Sequence, residues 1–467
     1  MAIFTDHFLG ERHDIYFPED GDRCHPYNDK YWSEVEIAPI DRIKEIQLAR
    51  LKNIVGFAYE KSPFYRNLWK AHDFHPDDIR ILDDVQKLPI VTKEDIQRDQ
   101  LSHPLFGTLA TTPATNQPKF WRTSGTTAKP RLFSSSWEDV ENDAWQVMRC
   151  LYAQGIRPGW RGFFAFGFLP FQAFWIIFNS AEFMGCQVVP KGTLPTRPWL
   201  LLMRDLAPYG DNFMCCGPTF AFRQLEVLEE MGIDPHELRI KKIGFAGEPA
   251  YGIPSTHNYL KEKWGAEIHD IPGSTETSGC LFFSCEALEK QDPPSDHVVA
   301  DRFLVELLDQ ETLKPAKGDT GITCVTALGR FGFPIIRYLL KDLMTIKENY
   351  SCPCGRTLPV AVGGIKTRFE DMIIVKGVNL YPSAIEQVVR TIPGLGTEFR
   401  IKKTKTGDVE ILVESCQECS GNEKEDLHKI VQRNLHDAFF ITFRINLLSP
   451  GTLTKEEGKT KRIITEE

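Results

Sequence analysis

The chain has 467 residues, which predicts two or more domains, and hydrophobic and charged fractions of 42% and 25% that are typical of a globular protein. Its formal net charge of −9 argues against nucleic acid or an anionic membrane as the main partner. No segment approaches the ~18 uninterrupted apolar residues of a membrane span, and residues 1–20 lack a signal-peptide pattern, so a cytoplasmic protein is expected. The 12 cysteines are then expected to be thiols or metal ligands rather than disulfides.

Residues 1–28 lack periodicity and are expected to form an extended arm, whereas apolar residues at helical spacing predict an amphipathic helix from Ile40 to Tyr59. After it, Ser136 and Asp139 have the spacing of a helix N-cap. In the middle of the chain, short β-branched or aromatic runs alternate with helical runs, which predicts a largely parallel sheet covered by helices. The expected strands are 187–190, 213–216 and 242–245, and the expected helices are 200–206 and 220–231.

The pattern changes in the last third of the chain. From 298 to 326 it becomes strand, turn and strand, which predicts an antiparallel β subdomain. Residues from about 370 to 467 carry strand, helix and strand signals and predict a small α+β domain.

The segment from Thr123 to Pro130 places four hydroxyls, a glycine and a lysine in eight positions. Hydroxyls and free backbone N–H groups suit polyphosphate oxygens, and Lys129 adds a positive charge. The segment does not match the G-x-x-x-x-G-K-[ST] phosphate loop, because Pro130 and a strand-like run follow the lysine. A Ser/Thr-rich surface turn is the alternative interpretation.

Three further motifs contain groups that suit a nucleotide. The segment Gly247 to Pro249 follows a buried-looking strand, where glycine lets a ligand approach the backbone, although a plain turn has the same pattern. The segment Ser274 to Glu276 also follows a strand-like run, and its hydroxyls and carboxylate suit a phosphate contact beside a magnesium ligand or, alternatively, a helix cap. Asp342 lies among apolar residues and could accept both hydroxyls of a ribose, or could form a surface salt bridge.

Two C-terminal segments complete the series. Residues 368–379 carry a charged turn, a strand and a glycine turn at the expected domain border, which is also the pattern of an ordinary linker and hairpin. Gly458 and Lys459 lie in a polar tail, where a lysine is otherwise a solvated charge.

In this order the motifs resemble those of the adenylate-forming superfamily and, within it, the phenylacetate–CoA ligase family. The resemblance covers about residues 28–467, including 30–32 and 62–66. It implies an N-terminal domain of residues 1–369 that binds ATP and the acid, and a small mobile C-terminal domain of residues 370–467. The expected fold class is α/β, with mixed, mostly parallel sheets and a β subdomain in the large domain and an α+β C-terminal domain.

The resemblance also implies roles for individual residues. Those expected to contact ATP are Thr123, Ser124, Gly125, Thr126, Thr127, Lys129, Gly247, Glu248, Pro249 and Ser274. Thr275 would touch the α-phosphate, and Glu276 would bind Mg²⁺. Asp342 would hold the ribose, with Arg368 nearby.

Two catalytic contacts are expected from the C-terminal domain. Lys459 would bridge the acid's carboxylate and the α-phosphate during adenylation, where a lysine and Mg²⁺ neutralise the reacting anions. In this family a rotation of the small domain then removes the lysine, and Gly377 would line the pantetheine path of CoA.

A second constellation consists of cysteine and histidine. Cys352 and Cys354 form a tight C-x-C turn, and Cys285 and His297 lie upstream of it. Three cysteines and one histidine make a closed structural zinc set, and some members of the resembled family carry such a site. Reduced surface thiols are the alternative, and 416–419 holds a rival cysteine pair without nearby partners.

The segment 163–175 is strongly aromatic, and Gly167 and Pro170 interrupt any regular element within it. Core packing explains part of this segment, but some rings must line an irregular loop where an aromatic acid could stack. The residues expected to contact the acid are Phe166, Phe168, Phe171 and Gly273.

These observations predict an aryl- or arylacetate–CoA ligase that uses ATP, Mg²⁺ and CoA, carries a structural Zn²⁺, and releases AMP and pyrophosphate. A second enzymatic interpretation passes the acyl group to a carrier protein or an amine. A third, from another class, is a nucleotide-binding scaffold without activity. A homodimer is suggested by the family alone.

Overall fold

The structure is a computed structural model, and it describes most of the chain. The described residues are 20–113, 117–123, 130–168, 170–248, 250–365, 367–368, 373–375, 378–403, 409–454 and 461–465, with the backbone alone at 367, 368, 374, 378 and 379. Among these residues, no helix is both long enough and apolar enough to cross a membrane.

The N-terminal region is mainly helical. Its elements are α1 (Ile40–Lys61), α2 (Pro63–Lys70), α3 (Lys93–Ser102) and the antiparallel hairpin of β1 (Lys119–Arg122) and β2 (Leu132–Ser135). Helix α1 confirms the predicted amphipathic helix, because Ile43, Leu51 and Ile54 are fully buried on one face. Residues 20–28 have an irregular backbone. Asp20 nevertheless anchors this segment to the body of the protein, because it pairs with Arg50 at 2.8 Å.

A five-stranded parallel sheet forms the centre of the molecule. Its elements are α4 (Trp137–Ala153), β3 (Arg161–Ala165), α5 (Gln172–Phe183), β4 (Gln187–Pro190), α6 (Thr196–Leu206), β5 (Asn212–Cys216), α7 (Pro218–Met231), β6 (Ile240–Phe245), α8 (Pro254–Trp264) and β7 (Glu267–Asp270). The strand order is β4-β3-β5-β6-β7. Strands β3 and β5 are buried along their whole length, as parallel strands covered on both faces must be. The predicted alternation of strands and helices is confirmed.

A mostly antiparallel sheet follows in the chain. Its strands are β8 (Phe282–Phe283), β9 (Asp296–Val298), β10 (Phe303–Leu308), β11 (Thr320–Ala327), β12 (Tyr338–Lys347), β13 (Val360–Ala361) and β14 (Thr367–Arg368). They run in the order β10-β11-β12-β13-β9-β8, and β14 pairs with β12. The predicted β subdomain therefore exists, but it extends on both sides of the expected range 298–326.

The C-terminal part has its own sheet and its own buried cluster. Its elements are β15 (Ile373–Val375), β16 (Val378–Leu380), α9 (Pro382–Val389), β17 (Leu395–Lys403), β18 (Val409–Ser415), α10 (Gly421–Phe439), β19 (Arg444–Leu448) and β20 (Ile463–Thr465). The four-stranded sheet has the order β19-β18-β17-β20, and its apolar residues pack against α9 and α10. The predicted α/β fold class with an α+β C-terminal part is confirmed.

Candidate active site

Two predicted motifs lie at the carboxyl ends of neighbouring parallel strands. Strand β6 pairs with β7 and leads into Gly247, while β7 leads into the loop 272–279. The crevice outside the carboxyl edge of a parallel sheet is where such folds bind ligands. The folding of the central sheet thus brings the expected adenine segment and the expected phosphate loop together.

The loop 272–279 is held in a tight turn. Ser274 Oγ accepts a hydrogen bond from the Thr277 backbone N–H at 3.2 Å, and the Ser274 carbonyl accepts one from Ser278 at 3.2 Å. A side chain at Gly273 would collide with the carbonyl oxygen of Gly279, so the turn requires glycine there. Gly273 therefore has a structural role, whatever its contact with the acid.

Arg330 fixes this loop to the β1–β2 hairpin. Its Nη1 donates to the carbonyls of Thr275 and Glu276 at 3.1 and 2.5 Å, and its Nη2 donates to the Ser134 carbonyl at 3.1 Å. The guanidinium is buried, so these three acceptors replace water. This contact could not be predicted from the sequence, because Arg330 lies in a glycine-rich turn more than 50 residues after the loop.

The predicted magnesium ligand is engaged by two side chains from other elements. Arg131 Nη2 lies 2.8 Å from Glu276 Oε1, and its Nη1 donates to the Tyr338 hydroxyl at 2.8 Å. That hydroxyl in turn donates to Glu276 at 3.3 Å. Burial, together with the Glu276 charge, raises the pKa of Tyr338 well above its ordinary value, so the hydroxyl keeps its proton.

Arg131 was not predicted as a site residue, although it directly follows Lys129 and Pro130. The hairpin explains its position. The Thr123 backbone N–H donates to the Arg131 carbonyl at 3.1 Å, and Thr123 Oγ1 accepts from the Arg131 N–H at 3.2 Å. These bonds close the base of the predicted polyphosphate loop and place Arg131 beside Glu276.

The other residues that were predicted to bind the nucleotide are only partly described. Asp342 is buried on β12 and lies directly opposite Arg368 of β14 in the strand register, as expected for neighbours. Gly247 is exposed with a φ of +92°, and Glu248 accepts a hydrogen bond from Thr219 Oγ1 at 2.5 Å. Several predicted residues lie outside the described residues: Ser124, Gly125, Thr126, Thr127, Lys129, Pro249, Gly377 and Lys459.

The four predicted zinc ligands converge. The ligand atoms of Cys285, His297, Cys352 and Cys354 all lie within 4.8 Å of one another. Cys285 Sγ is 3.8 Å from Cys352 Sγ, and Cys354 Sγ is 3.3 Å from His297 Nε2. Zn–S bonds of about 2.3 Å in a tetrahedron place two sulfurs about 3.8 Å apart, so this donor set fits the metal.

The other cysteines behave as expected for thiols. All 12 are free, and most are buried. Cys416 and Cys419 join no cluster of three or more metal-binding side chains within the described part of the chain. The interpretation of the zinc set as reduced surface thiols is disfavoured, because three of its four ligands are buried.

The predicted aromatic residues pack largely on one another. Phe166 is buried and stacks on Phe174 with ring centroids 4.2 Å apart, and Phe171 meets Phe174 edge to face at 6.4 Å. Phe168 contacts Trp175 at 5.1 Å from a backbone with φ of +49°. Helix α5 begins at Gln172, so the irregular loop that the sequence predicted is confined to the residues between β3 and α5, of which 166–168 and 170–171 are described.

Three comparisons relate this architecture to known proteins. Residues 377–466 match the family model described as the AMP-binding enzyme C-terminal domain. The chain is 30% identical to a phenylacetate-coenzyme A ligase of Thermus thermophilus, over 93% of this chain and 99% of the relative. It is also 30% identical to a phenylacetate-coenzyme A ligase of Aromatoleum evansii, over 92% and 96% of the two chains.

Solved structures show the same arrangement. The 2-hydroxyisobutyryl-CoA ligase in the postadenylation state is 25% identical, with a TM-score of 0.89 over 97% of this chain and 96% of that one. The structure of the same ligase in the thioesterification state has a TM-score of 0.72 at the same coverage of both chains. A parallel sheet with polar loops at its carboxyl edge, followed by this C-terminal domain, is the architecture of adenylate-forming enzymes. The chain belongs to the phenylacetate-coenzyme A ligase family.

Proposed function

We propose that this chain is an ATP-dependent acyl-CoA ligase. It joins an acid to the α-phosphate of ATP, releases pyrophosphate, and then transfers the acyl group to CoA with release of AMP. The observation that carries the proposal is the meeting of Glu276, Arg131 and Tyr338 at the carboxyl edge of the sheet. The membership of the whole chain in this family supports it.

In the first step, the acid's carboxylate attacks the α-phosphate, and two anions must be brought together. Thr275 would contact the α-phosphate, and Arg330 holds the backbone of that loop so that it need not reorganise during the reaction. Glu276 would hold Mg²⁺, which supplies charge neutralisation. A single carboxylate together with substrate phosphates suits this ion. Arg131 faces the same carboxylate. Once Mg²⁺ binds Glu276, the positive charge of Arg131 would help to neutralise the phosphates.

The nucleotide would lie along the carboxyl edge. The segment from Gly247 to Pro249 would follow the adenine, and Asp342 would accept the ribose hydroxyls with Arg368 nearby. The predicted loop from Thr123 to Lys129 would hold the β- and γ-phosphates. The open backbone at Gly247 supports this arrangement, because a Cβ there would meet no atom within 4 Å.

The second step requires the two parts of the chain to move. We assign residues 1–369 to the large domain and 370–467 to the mobile one. Glu386 Oε1 accepts from Thr256 Oγ1 at 3.2 Å, and Gln387 Oε1 accepts from Ser255 Oγ at 3.1 Å. These few polar contacts suit an interface that must open. Rotation of the mobile domain would withdraw Lys459 from the reacting groups and bring Gly377 to the pantetheine path.

Zn²⁺ would have a structural role. The buried Cys₃His set would link the β8, β9 and Cys352–Cys354 segments, and such closed sites contribute folding energy rather than chemistry.

The acid is proposed to be aromatic, and the experiment that tests the function is an acid panel. Pyrophosphate release is measured for benzoate-type, phenylacetate-type and indole-type acids, and for acetate and butyrate, each with and without CoA. The proposal expects acid-dependent pyrophosphate release, and AMP and acyl-CoA when CoA is added. AMP release that requires a carrier protein or an amine instead of CoA would assign the acceptor differently. If no acid supports pyrophosphate release, the protein would instead be the nucleotide-binding scaffold without activity.

A further inference from the structure

Ser278, in the loop 272–279, has a backbone conformation that residues with a side chain rarely adopt. Its φ is +61°, in the left-handed region, and the residue is 1% exposed. A Cβ makes this conformation unfavourable for residues other than glycine, so other contacts must stabilise it. Since Ser278 is buried, bulk water cannot supply these contacts, and neighbouring side chains have to.

Two buried side chains from different helices hold the Ser278 hydroxyl. Ser278 Oγ donates to the carboxylate of Asp143 on α4, and it accepts from Nε2 of Gln172, the first residue of α5. Both partners are buried, at 8% and 2% exposed. The Gln172 amide also donates to Ser135 Oγ on β2 at 3.3 Å. The hydroxyl is therefore used both as a donor and as an acceptor, within a network that spans α4, α5 and β2.

The surroundings leave this part of the loop little room to move. The space beside Asp143 and Gln172, between α4, α5 and the β1–β2 hairpin, has a volume of about 10 Å³, enough for at most one water. At the next residue, Gly279 with a φ of +68°, a Cβ would collide with Gln146 and lie 3.3 Å from Asp143 Oδ1. The loop is thus packed against α4 and cannot relax by shifting toward that helix.

The Ser278 backbone also closes the turn that carries Thr275 and Glu276. Its N–H donates to the Ser274 carbonyl at 3.2 Å, and Thr275 and Glu276 lie between these two residues. Arg330 Nη1 donates to the carbonyls of Thr275 and Glu276 at 3.1 and 2.5 Å. The turn therefore has two anchors. Loss of the anchor at Ser278 would let its backbone rotate and would displace both site residues.

We propose that Ser278 is a positioning residue of the ligase, and that Asp143 and Gln172 hold its hydroxyl so that the loop presents Thr275 and Glu276 to the nucleotide. The inference rests on the proposed ligase function and adds to it three residues that act through the loop. A loop that is fixed before the substrates arrive need not reorganise in the transition state. The network therefore contributes to the rate of adenylation rather than to binding of the acid.

Two substitutions at Ser278 separate the backbone conformation from the hydroxyl. Ser278→Ala and Ser278→Gly both remove the hydroxyl from Asp143 and Gln172, but glycine adopts a positive φ readily. ATP–pyrophosphate exchange is measured with the acid that gives the highest rate among the benzoate-, phenylacetate- and indole-type acids. We expect kcat for exchange to fall about tenfold or more in Ser278→Ala, with little change in the KM of the acid. Ser278→Gly should exceed Ser278→Ala by roughly five- to thirtyfold, the factor that corresponds to the left-handed preference of glycine.

A second set of variants tests the anchor itself. Gln172→Met has a side chain of similar size that cannot donate, and it should slow exchange as Ser278→Ala does. Adding Ser278→Gly to Gln172→Met should restore much of the lost rate, because glycine needs no anchor to keep this conformation. Ser180→Ala is the matched control, because Ser180 is a buried serine of α5 whose hydroxyl donates to the Ile176 carbonyl instead. This control should keep the wild-type exchange rate.

The outcomes separate this inference from the ligase function. Equal exchange by Ser278→Ala and Ser278→Gly, or no gain when Ser278→Gly is added to Gln172→Met, would overturn the positioning role, while exchange by the wild type would still support the ligase. The Gln172 variants also decide the inference if Ser278→Ala does not fold. If the wild type supports exchange with no acid, the ligase function fails, and the calorimetric affinities of the Ser278 and Gln172 variants for Mg²⁺-ATP decide the inference. Equal affinities with and without Ser278→Gly would then contradict it, and tighter binding with Ser278→Gly would support it.

Discussion

At Glu276, two side chains from distant parts of the chain, Arg131 and Tyr338, contact one carboxylate. Arg131 supplies a positive charge and Tyr338 supplies a neutral donor, so the carboxylate is oriented before any ligand arrives. This differs from an isolated surface carboxylate, which would be hydrated and mobile. This arrangement suits a carboxylate that exchanges one of its protein partners for an incoming cation.

Glu276→Gln should therefore lower the rate of acid-dependent pyrophosphate exchange by roughly 10²–10³, because it removes the negative charge that Mg²⁺ requires. Binding of the acid alone should change little. Tyr338→Phe is the matched variant: it removes the hydroxyl that bonds Glu276 and Arg131 but keeps both charges, and should have a much smaller effect. Exchange at limiting Mg²⁺ is the measurement. Unchanged exchange in Glu276→Gln would contradict the assignment.

The buried carboxyl group of Asp143, on helix α4, leads to a second prediction, which concerns the pH dependence of stability. Burial raises the pKa of Asp143 to about 7, so the folded protein retains a proton that the unfolded chain releases near the ordinary aspartate pKa of 3.8. Since the unfolded state binds fewer protons between these pKa values, stability falls as pH rises through this window. Below this pH window, Asp143 does not affect the pH dependence of stability.

Asp143→Asn removes this titration, so its stability relative to the wild type should increase by about 2–3 kcal/mol between pH 5 and pH 8. Denaturant unfolding of both proteins at the two pH values provides the measurement. Parallel stability changes in the two proteins would show that Asp143 is ionised in the folded state throughout.

At the scale of elements, the metal-binding turn also holds the N-terminal segment. The Tyr31 hydroxyl donates to the Cys354 carbonyl at 2.9 Å, and Arg356 Nε donates to Glu36 Oε2 at 2.7 Å. The 3₁₀ helix at Glu34–Ile37 is therefore attached to the turn that would bind zinc. Metal binding and the order of this N-terminal segment should be coupled.

The protein purified without added metal should contain about one zinc ion per chain, and Cys352→Ser should lose it. Hydrogen exchange should then increase over 31–37 and 350–356 in particular. Cys416→Ser is the control, because Cys416 is an exposed cysteine outside the cluster. Elemental analysis and exchange measurements check this together. Zinc retained by the Cys352 variant would refute the proposed ligand set.

Local patterns predicted the elements well, because their causes are local. Ser136 Oγ accepts from the Asp139 N–H at 3.2 Å, and Asp139 accepts from the Ser136 N–H at 3.0 Å, as the N-cap spacing predicted. The zinc-type set could be predicted because its residue types are distinctive. The contacts of Arg131 and Arg330 could not, since they depend on how the hairpin and the two sheets pack. The buried hydrogen bond from Ser278 to Asp143 has the same origin, because a single aspartate in a helix carries no distinctive sequence signal.

At the scale of the whole molecule, the C-terminal part contacts α7 and α8 through a few side chains. Arg390 lies over the Phe222 ring at 4.2 Å, and Thr397 Oγ1 donates to Glu226 Oε1 at 2.6 Å. The higher TM-score to the postadenylation state of the 2-hydroxyisobutyryl-CoA ligase fits this arrangement. We infer that these contacts hold the C-terminal part against α7 and α8 in the orientation described here.

Thr256→Val should weaken this docking, because it removes the hydroxyl that donates to Glu386. Adenylation should slow by a few-fold, whereas CoA-dependent release of AMP from supplied acyl-adenylate should be unchanged or faster. Thr320→Val is a control at an exposed threonine of β11, whose hydroxyl bonds Thr345 instead. The two half-reactions are measured separately. Equal slowing of both steps by Thr256→Val would argue against a role in domain orientation.

Lys459 is the C-terminal residue expected to act in only one half-reaction. Lys459→Ala should nearly abolish adenylation, because it removes the charge that joins the carboxylate and the α-phosphate. Thioester formation from supplied acyl-adenylate should persist. Equal loss in both half-reactions would rule out this assignment.

Activation of the acid as an acyl-adenylate determines where its two carboxylate oxygens end up, which isotopic labelling can follow. An acid labelled with ¹⁸O in both carboxylate oxygens is incubated with ATP, Mg²⁺ and CoA, and the products are analysed by mass spectrometry. Attack on the α-phosphate followed by thioester formation must leave one ¹⁸O in AMP and one in the acyl-CoA. Label in inorganic phosphate, with ADP as the nucleotide product, would show an acyl-phosphate route and contradict the account.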